Sequence, residues 1–65
     1  MKVVSFHPVT PTEQLVANCM GNDKWEVLME DNPWVKDSIL ICKEINQIKH
    51  MRWIYASQVL TRQNV

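Results

Sequence analysis

A single glycine, Gly21, and no aliphatic run longer than Ile39-Leu40-Ile41-Cys42 are the first constraints set by this 65-residue chain. Four apolar residues in a row fall far short of the roughly 20 a membrane span needs, so the sequence predicts no bilayer crossing. An excess of charge of one sign is also missing, with seven basic side chains against seven acidic ones. Cysteine is scarce: Cys19 and Cys42 form no Cys-x-x-Cys pair, sit in apolar segments and read as buried free thiols. His7, Cys19, Cys42 and His50 lack the close pairing of a zinc site, so neither metal nor cofactor is expected. Met1 to Pro8 carries one charge and no apolar stretch of signal-peptide length, which predicts a cytoplasmic protein. At this length only about 60% of the unfolded surface can be hidden, too little for a deep catalytic cleft, so no enzyme is expected.

What is present suffices for one thin core: 46% of residues are hydrophobic, including three Trp and four Met. One domain over residues 1–65 is predicted. Charge is unevenly placed along it. Lys2 and Lys24 stand against Glu13, Asp23, Glu26, Glu30 and Asp31 in residues 1–32, a balance of −3, whereas in residues 33–65 Lys36, Lys43, Lys49, Arg52 and Arg62 face only Asp37 and Glu44, a balance of +3. His50 can add to the second half, which a polyanion would meet.

Pro8 and Pro11 make residues 1–11 an extended arm or edge segment. A helix is predicted over 11–20: Thr10 or Thr12 caps it, Pro11 suits the first turn, and Glu13 completes a capping box with Thr10. Leu15, Val16, Cys19 and Met20 form its apolar face until Gly21. Asn22 or Asp23 can cap a second helix presenting Trp25, Leu28 and Met29, stopped by Asp31-Asn32-Pro33. Beyond Pro33 the pattern forks. One branch is a long helix with Ile41, Ile45, Ile48, Tyr55 and Val59 on one stripe. The favoured branch is a hairpin, with strands at Ser38–Lys43 and Met51–Tyr55 around a long, mobile polar loop, 44–49. A closing helix follows over 56–62. The expected core is Leu15, Val16, Met20, Leu28, Val35, Ile39, Ile41, Trp53 and Tyr55. Trp25, Trp34 and Trp53 read as core side chains rather than base-stacking platforms.

Thr12-Glu13 opening the first helix, Gly21, Asn32-Pro33-Trp34-Val35, and Trp53-Ile54-Tyr55 with Val59 give the chain an order that resembles the small excisionases of lambdoid prophages. The resemblance implies an α+β fold, a small winged helix-turn-helix with two N-terminal helices, a two-stranded wing and a short C-terminal helix. It also implies a non-enzymatic recombination directionality factor of a bacterial host cell. Such a factor bends attachment-site DNA, assists the integrase, a tyrosine recombinase, in excising a mobile element, and doubles as a repressor. Its partners would be double-stranded DNA, the integrase and further copies along the DNA. Asn22, Lys24 and Glu26 would face the major groove, and Lys43, Gln47, Lys49, His50 and Arg52 would lie on the wing against phosphates. A second reading is a small phage-type inhibitor or adaptor that binds a host or regulatory protein through its acidic helices.

Overall fold

The computed structural model describes residues 1–65, and it contains one helix and five strands. Strand β1 (Lys2–Phe6) leads into helix α1 (Pro11–Met20). Strands β2 (Trp25–Met29), β3 (Ser38–Ile45) and β4 (Ile48–Tyr55) follow, then a 3-10 turn (Ala56–Gln58) and β5 (Val59–Asn64). The strands form one antiparallel sheet in the order β4-β3-β2-β1-β5. This order forces curvature. Four strand spacings of about 4.8 Å would hold β4 and β5 about 19 Å apart in a flat sheet. The link from Tyr55 to Val59 reaches at most about 14 Å even when extended, and here it is coiled into a 3-10 turn. The sheet is therefore rolled, with the core on its concave side.

That core is Val4, Phe6, Trp25, Ile39, Ile41 and Ile54, with Val16, Met20, Val27 and Val59 packed against it. Trp25 is completely buried and meets Phe6 edge to face, the ring centroids 5.9 Å apart at 81°. Its Nε1 donates to the Gly21 carbonyl at 3.1 Å. Gly21 sits at φ 81°, a left-handed conformation that lets the chain leave α1 and carry that carbonyl to the indole. At the far end of the sheet the chain termini pair: the Met1 ammonium donates to the Val65 carbonyl at 2.7 Å, and Val65 N–H to Met1 at 2.9 Å.

The winged helix-turn-helix expectation is overturned. Helix α1 has the Thr10 cap, the Glu13 capping box and Pro11 in its first turn, but no second helix follows it. Trp25–Met29 is strand β2, pairing Val4 with Trp25 on one side and Ile41 with Val27 on the other. An isolated helix this short is marginal in water, whereas the strand satisfies the backbones of two neighbours and turns Trp25 and Val27 into the core. The expected N-terminal arm is likewise an interior strand, β1, between β2 and β5. Ser38–Ile45 and Ile48–Tyr55 form a hairpin, but as part of the sheet rather than as a wing. Its loop is two residues long, Asn46 and Gln47, both at positive φ (53° and 67°) as a primed type I turn requires, so the long mobile loop is corrected too. The closing helix is replaced by the 3-10 turn and β5.

Burial corrects the expected core. Ile39 and Ile41 are buried and Val16 and Met20 half-buried, but Leu15, Leu28, Val35, Trp53 and Tyr55 are exposed. On β4 the reason is parity: Ile54 lies opposite Ile39 and faces inward, so Trp53 and Tyr55 must face out. Cys42 is buried but Cys19 is exposed, and Trp34 is 88% exposed. No helix is long and apolar enough to cross a membrane. Replacing Phe6 or Trp25 with Ala is expected to cost about 3 to 5 kcal/mol of unfolding free energy. Leu15→Ala should stay within about 0.5 kcal/mol. Urea titrations followed by tryptophan fluorescence for Phe6 and Leu15, and by circular dichroism for Trp25, check both.

Candidate binding groove

The first turn of α1, the 30–37 loop and the end of β4 meet at one groove, and hydrogen bonds fix each part. Glu13 occupies the third helical position, where its N–H donates to Thr10 Oγ1 at 3.1 Å and its Oε1 accepts from Thr10 N–H at 3.1 Å. The same oxygen accepts from Val9 N–H and from Gln58 Nε2, both at 2.9 Å. All three of these bonds converge on Oε1, and Oε2 takes none. Gln58, buried in the 3-10 turn, also donates through Nε2 to His7 O at 3.1 Å and accepts from Tyr55 N–H through Oε1 at 2.8 Å.

The loop is shaped by Asn32. Its Oδ1 accepts from Trp34 N–H (2.9 Å) and Val35 N–H (3.2 Å), and its Nδ2 donates to Ser38 Oγ at 3.0 Å. This Asx turn gives the Asn-Pro-Trp-Val segment its conformation and leaves the Trp34 indole in solvent. Ser38 Oγ donates in turn to Val35 O at 3.3 Å.

The groove encloses about 280 Å³ and is lined by Glu13, Asn32, Val35, Ser38, Trp53, Ile54, Tyr55 and Gln58. It lies just under the range typical of small-molecule sites and matches one or two large side chains. Glu13 is its single charged lining residue. Burial alone would push the Glu13 carboxyl up. The N–H groups of Val9 and Thr10, the Gln58 amide and the charge of Arg52 together outweigh it and hold the carboxyl below the ordinary value of 4.5. Arg52 stands opposite Ile41 on the inward face of β4, its Nε buried without a hydrogen-bond partner.

The residues expected to contact DNA do not converge. Asn22 is structural, its Nδ2 donating to Phe6 O at 3.0 Å. Lys24 occupies a left-handed turn position, and Glu26 lies mid-sheet opposite Cys42. Lys43 donates to Asp23 O at 2.7 Å and lies 5.6 Å above the Trp25 ring. Gln47 is in the hairpin turn, Lys49 faces Glu44, His50 faces Lys43 and Arg52 points inward. Two further bases, Lys2 and Arg62, are paired with Glu30, whose carboxyl they hold below its ordinary value. Sequence reasoning missed the groove residues Asn32, Trp53, Tyr55 and Gln58 as a set. The Thr10–Glu13 capping box was the one local signal leading to it. No family model, no curated protein and no solved structure matches the chain.

A group whose folded-state value is depressed contributes stability above its unfolded value and loses it as pH falls through the folded one. For Glu13 the loss therefore occurs below about pH 4.5. Glu13→Gln should lower the urea midpoint at neutral pH, and its gap to the parent protein should narrow as pH drops to about 3. A gap that stays constant across that interval contradicts the assignment.

Proposed function

We propose that this chain is a non-enzymatic interaction module whose groove receives an extended peptide segment through one cationic side chain, lysine or arginine. The observation carrying this reading is the Glu13 carboxylate. It is kept ionised by donors that all bind one oxygen, in a groove otherwise walled by Trp53, Tyr55, Val35 and neutral polar groups. A bound cation meets the second oxygen in a sheltered site, where a charge-assisted hydrogen bond contributes about 1.5 to 3 kcal/mol. The stem of the same side chain, or a neighbouring proline, packs on the two rings, the mode by which aromatic-lined grooves take extended ligands. Ser38 Oγ is committed to Val35 and Asn32, and no histidine lines the groove, so no activated nucleophile stands there.

Binding of duplex DNA and an integrase, implied by the excisionase resemblance, depends on a base-reading helix at a position now occupied by β2. The bases without a hydrogen bond or ion pair, Lys24, Lys36, Lys49 and the inward-pointing Arg52, stand on three separate segments. Support therefore favours a protein partner, though not one held through acidic helices.

The test is an amide-resolved NMR titration with a proline-rich decapeptide carrying one central arginine, the same peptide with glutamate instead, and a random DNA duplex. Expected are shifts around Val35, Tyr55 and Gln58 with the arginine peptide only, at a Kd of about 10 to 200 µM. Glu13→Gln should weaken this about tenfold or more. Equal binding of the glutamate peptide overturns the cation assignment. Salt-dependent binding of the duplex, with no response to the peptides, restores the DNA reading.

A further inference from the structure

The sheet has two edges, and they differ. Strand β5 is polar along Thr61, Arg62, Gln63 and Asn64, and its pairing with β1 is broken by a register shift at Ser5/Phe6. Both features discourage further strand addition. Strand β4 lacks the register break, and its edge is guarded only by three basic side chains, Lys49, His50 and Arg52. It runs eight residues without a proline, and its ladder to β3 is unbroken from Ser38–Tyr55 to Ile45–Ile48.

The two-residue turn decides which backbone groups of β4 are free. In such a hairpin the residues flanking the loop, Ile45 and Ile48, form a hydrogen-bonded pair, and bonded and non-bonded pairs then alternate. Ile48, His50, Arg52 and Ile54 thus bond to β3, while Lys49, Met51, Trp53 and Tyr55 aim N–H and C=O away from it. The Tyr55 N–H confirms the parity by donating to the Gln58 side chain instead of to β3. Gln58 blocks that end, which leaves the N–H and C=O groups of Lys49, Met51 and Trp53 as an open row. Their side chains share the outer face, where Met51 is 61% exposed and Trp53 is 42% exposed.

We infer that the β4 edge is a self-association site, at which a second copy of this chain pairs antiparallel about a twofold axis through Met51. This register is self-complementary. Met51 meets Met51 of the second copy, and Lys49 of each copy lies beside Trp53 of the other. Three hydrogen-bonded residue pairs supply about six backbone bonds. On the outer face an ammonium lies near an indole and thioethers meet thioethers, both favourable cross-strand neighbours. The chain carries no net charge, but each copy brings Lys49 and Arg52 and no acidic residue to this edge, a local repulsion that salt screens. The unfavourable contact of this register is on the inner face, where His50 of one copy faces Arg52 of the other. The site is independent of the proposed peptide groove except for Trp53, and its test leaves the groove-lining residues unchanged.

Sedimentation equilibrium of the full chain over about 5 µM to 1 mM should show a monomer–dimer equilibrium, with a Kd between about 10 and 500 µM. Met51→Pro removes a donor only from the open edge, and N-methylation of the Met51 amide in a synthetic chain does the same without restraining φ. Each should weaken dimerisation about tenfold or more while circular dichroism stays unchanged. His50→Glu should tighten it about threefold or more, because the carboxylate then faces Arg52 of the second copy. Three outcomes overturn the proposal: a monomer at every concentration, association indifferent to both Met51 changes, or growth beyond the dimer.

Discussion

The buried amide of Gln58 is the constraint on which the rest of this structure depends. A sheet of five strands can be rolled by a three-residue link only if the link is held, and Gln58 holds it at both ends. Its side chain takes the last β4 N–H at Tyr55, the His7 carbonyl beyond β1 and the carboxylate that caps α1. Its own carbonyl accepts from His7 N–H at 2.7 Å. One residue therefore joins the two ends of the sheet order to the helix. A buried, fully satisfied polar group specifies geometry more sharply than apolar packing, because every alternative arrangement leaves donors unpaired.

Around that junction the aromatic side chains divide by role. Trp25 is sealed between Phe6, the Gly21 carbonyl and the Lys43 ammonium, so its ring, indole N–H and π-face are all used internally. Trp34, Trp53 and Tyr55 are left outside, on the Asx-turn loop and the outer face of β4. A domain this small has little apolar surface to spare, and three large rings facing water represent stability not realised in the isolated fold. Trp53 and Tyr55 line the groove that also holds the buried Glu13 carboxylate, and Trp34 stands next in the chain to its lining residue Val35.

The legible parts of the fold were the local ones. Thr10, Pro11 and Glu13 determine the start of α1 within four residues of chain, and the β-branched run at Ser38–Lys43 marks a strand whatever its neighbours. Trp25–Met29 was illegible because apolar residues at 25, 28 and 29 fit a helix as well as 25 and 27 fit a strand. The decision came from β1, twenty residues earlier, which needed a partner. Tyr55 and Trp53 were misplaced by one position of parity, a choice fixed by the register of the Asn46-Gln47 turn rather than by their hydrophobicity. Of the groove, Glu13 was visible as a cap; Gln58 carried no signal, since nothing in a lone glutamine near the end of a chain announces three partners.

The paired termini bear on how this domain responds to mechanical load. Met1 and Val65 leave the sheet side by side, at the same end of the antiparallel β1–β5 pair. Tension applied through them acts along the inter-strand hydrogen bonds rather than across them, and so reaches one rung at a time, Lys2–Asn64 first and the Phe6–Val59 rung last. The domain therefore unzips under low force when pulled by its ends, whereas a load transmitted through the β3–β4 hairpin and α1 would meet the rolled sheet as a whole.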